Sequence, residues 1–415
     1  HCFPDLYEVG MSHLGSHILY DVINKDEDVF CERVYAPAVD MENFMRENNI
    51  PMFALESREP ITNFDFVVFT LQYELSYTNI LNILDLANIP LLRSERKLDD
   101  PFIMVGGPCA YNVEPLADFV DIAILGEGEE VNLEVLNVYK KWKKNKTTRE
   151  DFLHKIAKIE GVYIPSFYDV TYNEDNTVKE VKPNREGIPS KVKKRIIKNV
   201  EDVPYPEKLI VPFIDTVHNR VVLELFRGCT RGCRFCQAGM IYRPIREKSL
   251  DRLKEIVDKL VKNTGYDEIS LSSLSTSDYS KLSELTDFLV EEYTPKNIGI
   301  SLPSLRLDNF SMEIAEKIQQ VRKSGLTFAP EAGTQRMRDV INKGISEEDL
   351  ANATRKAFEM GWDSVKLYFM IGLPTERYDD LDGIADLAYG VIDTYKHVNG
   401  GKIRNKFSVT VSTST

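Results

Sequence analysis

Three cysteines fall within eight residues, Cys229-Thr-Arg-Gly-Cys233-Arg-Phe-Cys236, and that clustering asks for a metal. A zinc site closes with four ligands, yet no fourth Cys and no His follows nearby; His218 lies upstream and His397 far downstream. Iron–sulfur clusters are usually held by four thiolates, so three on one short loop imply either a remote fourth ligand or an iron left open for chemistry. Cys2, Cys31 and Cys109 are scattered, and six cysteines in 415 residues are too sparse for a disulfide framework, which points to a reducing compartment.

A loop of this kind has to be carried by something rigid. Val221 to Phe226 reads as a strand just before it, and Leu250 to Val261 as a helix after it, with Leu250, Leu253, Ile256, Val257, Leu260 and Val261 on one face. The alternation then repeats. Strands are expected at Glu268 to Ser272, Asn297 to Leu302, Gly325 to Ala329, Ser364 to Met370 and Phe407 to Ser412. Helices are expected at Tyr279 to Glu291, Ser311 to Gln319, Glu347 to Met360 and Tyr378 to Tyr395. Ser346 and Asp349 read as a capping pair for the third of these, and Gly361 as its stop. Six βα steps starting from the cysteine loop predict a partial (β/α)6 barrel of the TIM type over 220–415, with its site at the carboxyl ends of the strands. Ser301, Arg306, Tyr368 and Ser412 are inward-facing polar candidates at those ends.

Residues 1–145 alternate in a similar way. Val29 to Val34, Phe64 to Thr70, Phe102 to Val105 and Ile122 to Leu125 read as strands, and His13 to Asn24, Ser76 to Ala87 and Glu129 to Lys144 as helices. This predicts a doubly wound, Rossmann-like α/β domain. Gly106-Gly107-Pro108 and Gly126-Glu127-Gly128-Glu129 end two strands at the edge where such sheets bind ligands, or are ordinary βα-loop glycines, since neither completes a dinucleotide fingerprint. Residues 146–219 read as a connecting segment: a small hairpin around Val162 to Pro165 and Asn173 to Asn176, then a basic, Pro-marked linker from Lys191 through Pro212. Lys140, Lys141, Lys143, Lys144, Lys146 and the 191–198 run could contact RNA, but a solvated charged face is the favoured reading. With 52 Lys and Arg against 65 Asp and Glu, the net charge of −13 argues against a protein built to grip phosphate backbones. No run approaches a membrane span, so a soluble, cytoplasmic protein is expected. The start at His1 and the stop at Thr415, with no helix after the last strand, suggest a fragment whose barrel is incomplete.

The spacing Cys229-x3-Cys233-x2-Cys236, with Gly228 before it and Phe235 before the last Cys, resembles the signature of radical S-adenosylmethionine (SAM) enzymes. The resemblance implies a 4Fe-4S cluster on the three thiolates and SAM chelated by the fourth iron. Reductive cleavage of SAM would then give methionine and a 5′-deoxyadenosyl radical for chemistry on a substrate that the sequence does not name. It also implies a reductant such as flavodoxin or ferredoxin. By the same resemblance Phe235 belongs to the cofactor site, and Ser273 and Ser275 stand where the family has a Gly-Gly-Glu-like turn whose backbone meets the methionine amino group. Ala329-Pro330-Glu331-Ala332-Gly333-Thr334-Gln335-Arg336 resembles an element that would make Glu331 a contact to ribose or amino group and Arg336 a carboxylate partner or, equally, a surface ion pair. Ile371 and Leu373 would flank adenine around Gly372. The doubly wound domain ahead of such a barrel resembles the cobalamin-binding group, but the axial motif Asp-x-His-x-x-Gly is absent and His13 reads as a helix start, which leaves cobalamin doubtful. Two alternatives stay open: methyl or methylthio transfer to RNA or protein, and a non-catalytic scaffold stabilised by a metal loop.

Overall fold

The computed structural model describes residues 1–302 and 326–415. Arg306, the expected helix from Ser311 to Gln319, and Gly325 lie outside them. The chain divides into two compact units, His1–Asn219 and Arg220–Thr415.

The first unit is built on a sheet of β1 (Cys2–Phe3), β2 (Val34–Tyr35), β3 (Phe66–Thr70), β4 (Phe102–Gly106), β5 (Ile122–Ile124) and β6 (Val162–Tyr163), in the order β2-β1-β3-β4-β5-β6. The first five are parallel and β6 is antiparallel. Alternate residues of β4 feed two cores: Ile103 and Val105 pack with Phe69, Ile80 and Ile83, whereas Phe102 and Met104 pack with Val131, Trp142 and Phe152. A parallel strand covered by helices on both faces has no polar side to show.

Two expectations are corrected here. The strand expected at Val29 to Val34 is only Val34–Tyr35, and Phe30 is 83% exposed. Asn24 explains this, because its amide accepts from Cys31 N and donates to Cys31 O, both at 2.9 Å, occupying the backbone groups a ladder would need. Val162–Tyr163 joins the main sheet, while the hairpin is β7 (Tyr168–Tyr172) against β8 (Val178–Pro183), turning at Asn176 with φ +63°.

Among its described residues the second unit holds six strands in two parallel sheets: β9 (Val221–Glu224), β12 (Glu268–Ser272) and β13 (Gly299–Ser301), then β14 (Leu326–Glu331), β15 (Ser364–Met370) and β16 (Ser408–Ser414). A short antiparallel pair, β10 (Phe226–Arg227) and β11 (Arg246–Glu247), interrupts the series. The helix Leu250–Thr264 buries Leu253, Ile256, Val257 and Leu260, as its spacing predicts. Ser346 and Asp349 form a reciprocal capping box, at 3.1 Å and 2.8 Å, and Gly361 follows the helix with φ +87°.

Candidate cluster and cofactor site

The antiparallel pair places Phe226 opposite Glu247 and Arg227 opposite Arg246. Residues 228–245, including all three clustered cysteines, are thus a single excursion pinned at its neck. Glu224, at the end of β9, anchors that neck: Lys248 Nζ lies 2.5 Å and Arg227 Nε 3.0 Å from its carboxylate, and Lys248 is only 1% exposed. Burial by itself would raise the Glu224 carboxyl, yet the two cations hold it down at about 2. Gly228 closes the turn at φ +99°, where a Cβ would sit 2.6 Å from the Pro244 carbonyl oxygen.

Cys229, Cys233 and Cys236 are half-buried free thiols, and Phe235 between them is 39% exposed. The loop carrying them is tied down by its own cations. Arg231 makes a two-pronged ion pair with Asp278, Nε to Oδ2 at 2.9 Å. Arg234 N donates to Ile341 O at 2.9 Å and its guanidinium donates to Val340 O. Arg243 Nε reaches Cys229 O at 3.3 Å, and Asn342 Nδ2 donates to Gly232 O at 2.9 Å.

These ties bring the neighbouring turns to the loop. After β12, Ser275 is 3% exposed and its hydroxyl donates to Asp278 at 2.6 Å, while the Ser273 and Thr276 hydroxyls are 3.0 Å apart. At the end of β14 a register shift precedes Glu331, whose φ of +69° is rare for a residue with a Cβ. Lys343 Nζ pairs with the Glu331 carboxylate at 3.0 Å and lies 5.9 Å from the centre of the Phe235 ring. Buried Arg338 holds the same turn by donating to Ala332 O at 2.9 Å and Gly333 O at 3.3 Å. Arg336 instead grips Asp380, and its ion pair keeps that carboxyl down at about 2. After β15, Gly372 N donates to Glu376 at 2.7 Å, Leu373 packs on Ala332, Met337 and Ile341, and Ile371 stays partly exposed. Tyr368 and Ser412 are register partners on β15 and β16, and Ser301 faces Ser270 on β12.

Lys343, Asp278, Asn342, Arg338 and Glu224 were not marked by the sequence, because nothing in local spacing ties them to a cysteine loop elsewhere in the chain. The donor set fits an iron–sulfur cluster. Three thiols on one excursion that holds no further Cys or His are soft sulfur donors of the kind such a cluster takes.

Residues 15–165 match the family described as Radical SAM proteins, N-terminal, and residues 223–388 match the Radical SAM superfamily. An uncharacterized protein of Methanocaldococcus jannaschii is 31% identical over 389 residues, 93% of this chain and 72% of that protein. The chain belongs to the radical SAM superfamily. Two solved structures share its fold. The radical SAM methyltransferase TsrM from Kitasatospora setae aligns with a TM-score of 0.56 at 14% identity, covering 94% of this chain and 70% of that one. The cobalamin-dependent SAM radical enzyme OxsB aligns at 0.64 and 14%, covering 99% of this chain and 57% of that one. As a radical SAM protein the chain is an enzyme whose cofactors are a 4Fe-4S cluster and SAM, and enzymes of this superfamily need a reductant. No helix among the described residues is long and apolar enough to cross a membrane.

The first unit of this radical SAM enzyme does not fit a histidine-ligated corrinoid. His13 caps the helix Leu14–Asn24 through Ser16 N at 3.1 Å, packs 5.3 Å from the Phe3 ring, and is pushed by burial down to about 4. The β5 glycine turn is filled by the chain itself: Arg195 N donates to Leu125 O at 2.8 Å, Glu127 N to Arg195 O at 3.2 Å, and a Cβ on Gly126 would overlap the Arg195 carbonyl. Gly107 needs its φ of +101° because Leu71 O lies 2.7 Å from where a Cβ would be. Both turns are therefore explained by close backbone approach.

Proposed function

We propose that Cys229, Cys233 and Cys236 ligate the 4Fe-4S cluster and that the chain cleaves SAM reductively to start hydrogen abstraction from its substrate. The observation that carries this reading is the pinned cysteine loop with two turns tied to it, one through Arg231 and Asp278 and one through Asn342 and Lys343. The three thiolates would hold the cluster, and its chemistry there would be transfer of one electron to the sulfonium of SAM, which yields methionine and a 5′-deoxyadenosyl radical. The protein's part is to position and to exclude water. The Ser273 and Ser275 hydroxyls are engaged with Thr276 and Asp278, so the turn after β12 meets the methionine amino group through its backbone. Glu331, in a backbone conformation held by Arg338 and Lys343, would meet the ribose or amino group of SAM. Ile371, Gly372 and Leu373 would flank adenine, and Phe235, 39% exposed, would cover the cluster side. Arg336 is engaged by Asp380 and Thr375 O, so it fixes the start of the helix Tyr378–Val398.

Methyl or methylthio transfer to RNA or protein is the second reading, favoured by the likeness to the methyltransferase TsrM, but contact with RNA has less support. Lys140, Lys143, Lys146, Lys193 and Arg195 each meet a carboxylate of their own unit, which is how a solvated charged face behaves.

The test is chemical. Protein reconstituted without oxygen and reduced with dithionite should bind iron and sulfide and turn SAM into 5′-deoxyadenosine and methionine. Cys233→Ala should abolish both products while the far-ultraviolet spectrum stays native. Iron binding without any cleavage of SAM would sink the reading, as would one zinc per chain and no iron.

A further inference from the structure

An exposed ion pair would carry little weight, but Arg231 and Asp278 are not an ordinary surface pair. Arg231 sits between Cys229 and Cys233, and its side chain and that of Asp278 are 32% and 20% exposed. The contact uses both prongs of the guanidinium, a geometry that fixes direction as well as distance. The carboxylate is itself held: Oδ2 accepts from the buried Ser275 hydroxyl at 2.6 Å, and Asp278 N donates to Ser275 O at 2.9 Å. The line Ser275–Asp278–Arg231 thus joins the turn after β12 to the middle of the cysteine loop with no group free to turn.

We propose that the Arg231–Asp278 pair is a positioning clamp that seats the cysteine loop before a cluster enters and balances the charge beside it afterwards. This rests on the cluster reading above. A cluster on three thiolates becomes more negative on reduction, so removing a guanidinium charge nearby opposes reduction and removing a carboxylate charge favours it. Neutralising one partner or the other should therefore move the reduction potential in opposite directions. A purely structural role would move neither in this way.

The experiment compares the full chain with R231Q, D278N and R231K, each reconstituted without oxygen. Both charge-neutralising variants should lose iron to a chelator roughly 10-fold faster than the parent, the low end of what loss of an outer-shell partner does to metal retention. In a spectroelectrochemical titration the potential should fall in R231Q and rise in D278N, while R231K, which keeps the charge and loses the fork, stays near the parent. Shifts of the same sign in R231Q and D278N, or iron retention and potential like the parent's in both, would overturn the proposal. If R231Q does not fold by far-ultraviolet circular dichroism, the contrast between a raised potential in D278N and an unchanged one in R231K decides the matter. A parent chain that takes up no iron would overturn the cluster reading instead.

Discussion

Glu224 shows what a single residue does for the loop. It is a carboxylate at a strand end between a nearly buried lysine and an arginine, so removing its charge takes from Lys248 the carboxylate 2.5 Å away in a poorly hydrated place. Glu224→Gln should destabilise the second unit by about 3 kcal/mol at neutral pH, read by urea unfolding. Its folded carboxyl lies at about 2 against an ordinary 4.5, and Asp380 lies at about 2 against 3.8. A depressed carboxyl stabilises the fold above its unfolded value, and that stabilisation disappears as pH falls through the folded one. Thermal stability should therefore drop between roughly pH 4.5 and pH 2, and drop less steeply in Glu224→Gln. A parent whose melting temperature is flat across that window would refute the assignment. The superfamily was legible in the sequence because three thiols at fixed spacing form a local pattern. Lys343 was not, since its meeting with Phe235 exists only after residues over a hundred positions apart are brought together.

At the scale of elements, periodicity located most strands and helices of the second unit, and it failed where a side chain or a neighbouring backbone competed with it. The strand expected from Val29 gave way to the Asn24 amide, and Val162 and Tyr163 left the hairpin for the sheet because their side chains complete a core. The glycine turns gave a correct edge and an incomplete meaning. Gly126 at φ +114° is pressed against the Arg195 backbone, whereas Gly187 at φ +74° has nothing within 4 Å. Gly187→Ala should cost about 1 kcal/mol, the penalty of a left-handed conformation alone. Gly126→Ala should cost upwards of about 3 kcal/mol, because the linker must also move. Equal losses in the two variants, measured by denaturant unfolding, would show that Arg195 does not press on this turn in solution.

For the whole molecule, the sheet order of the first unit is a flavodoxin-like 2-1-3-4-5 with an antiparallel strand added, and such sheets bind ligands where the order reverses, between β1 and β3. Here that edge carries its own chain: Val217 N donates to Glu8 O at 3.3 Å and His218 N to the Ser12 hydroxyl at 3.0 Å, while Ile210 packs on Phe3, Met11 and Tyr35. Aquacobalamin mixed with the protein should pass through gel filtration unretained. Stoichiometric retention, with the absorbance of bound corrinoid, would mean that the segment 194–218 opens and that this unit takes the cofactor after all.

The sequence by itself determined the class of chemistry and the βα order that delivers it, because both are local properties: a ligand spacing and a period of apolar residues. Tertiary structure decided which charges hold the cysteine loop, that Arg336 is tied to Asp380 while Arg338 and Lys343 serve the Glu331 turn, and that the linker fills a glycine turn of the first sheet. Those outcomes depend on contacts between segments distant in the chain. An arginine pairs with whichever carboxylate the fold carries to it, and no local pattern records which one that is.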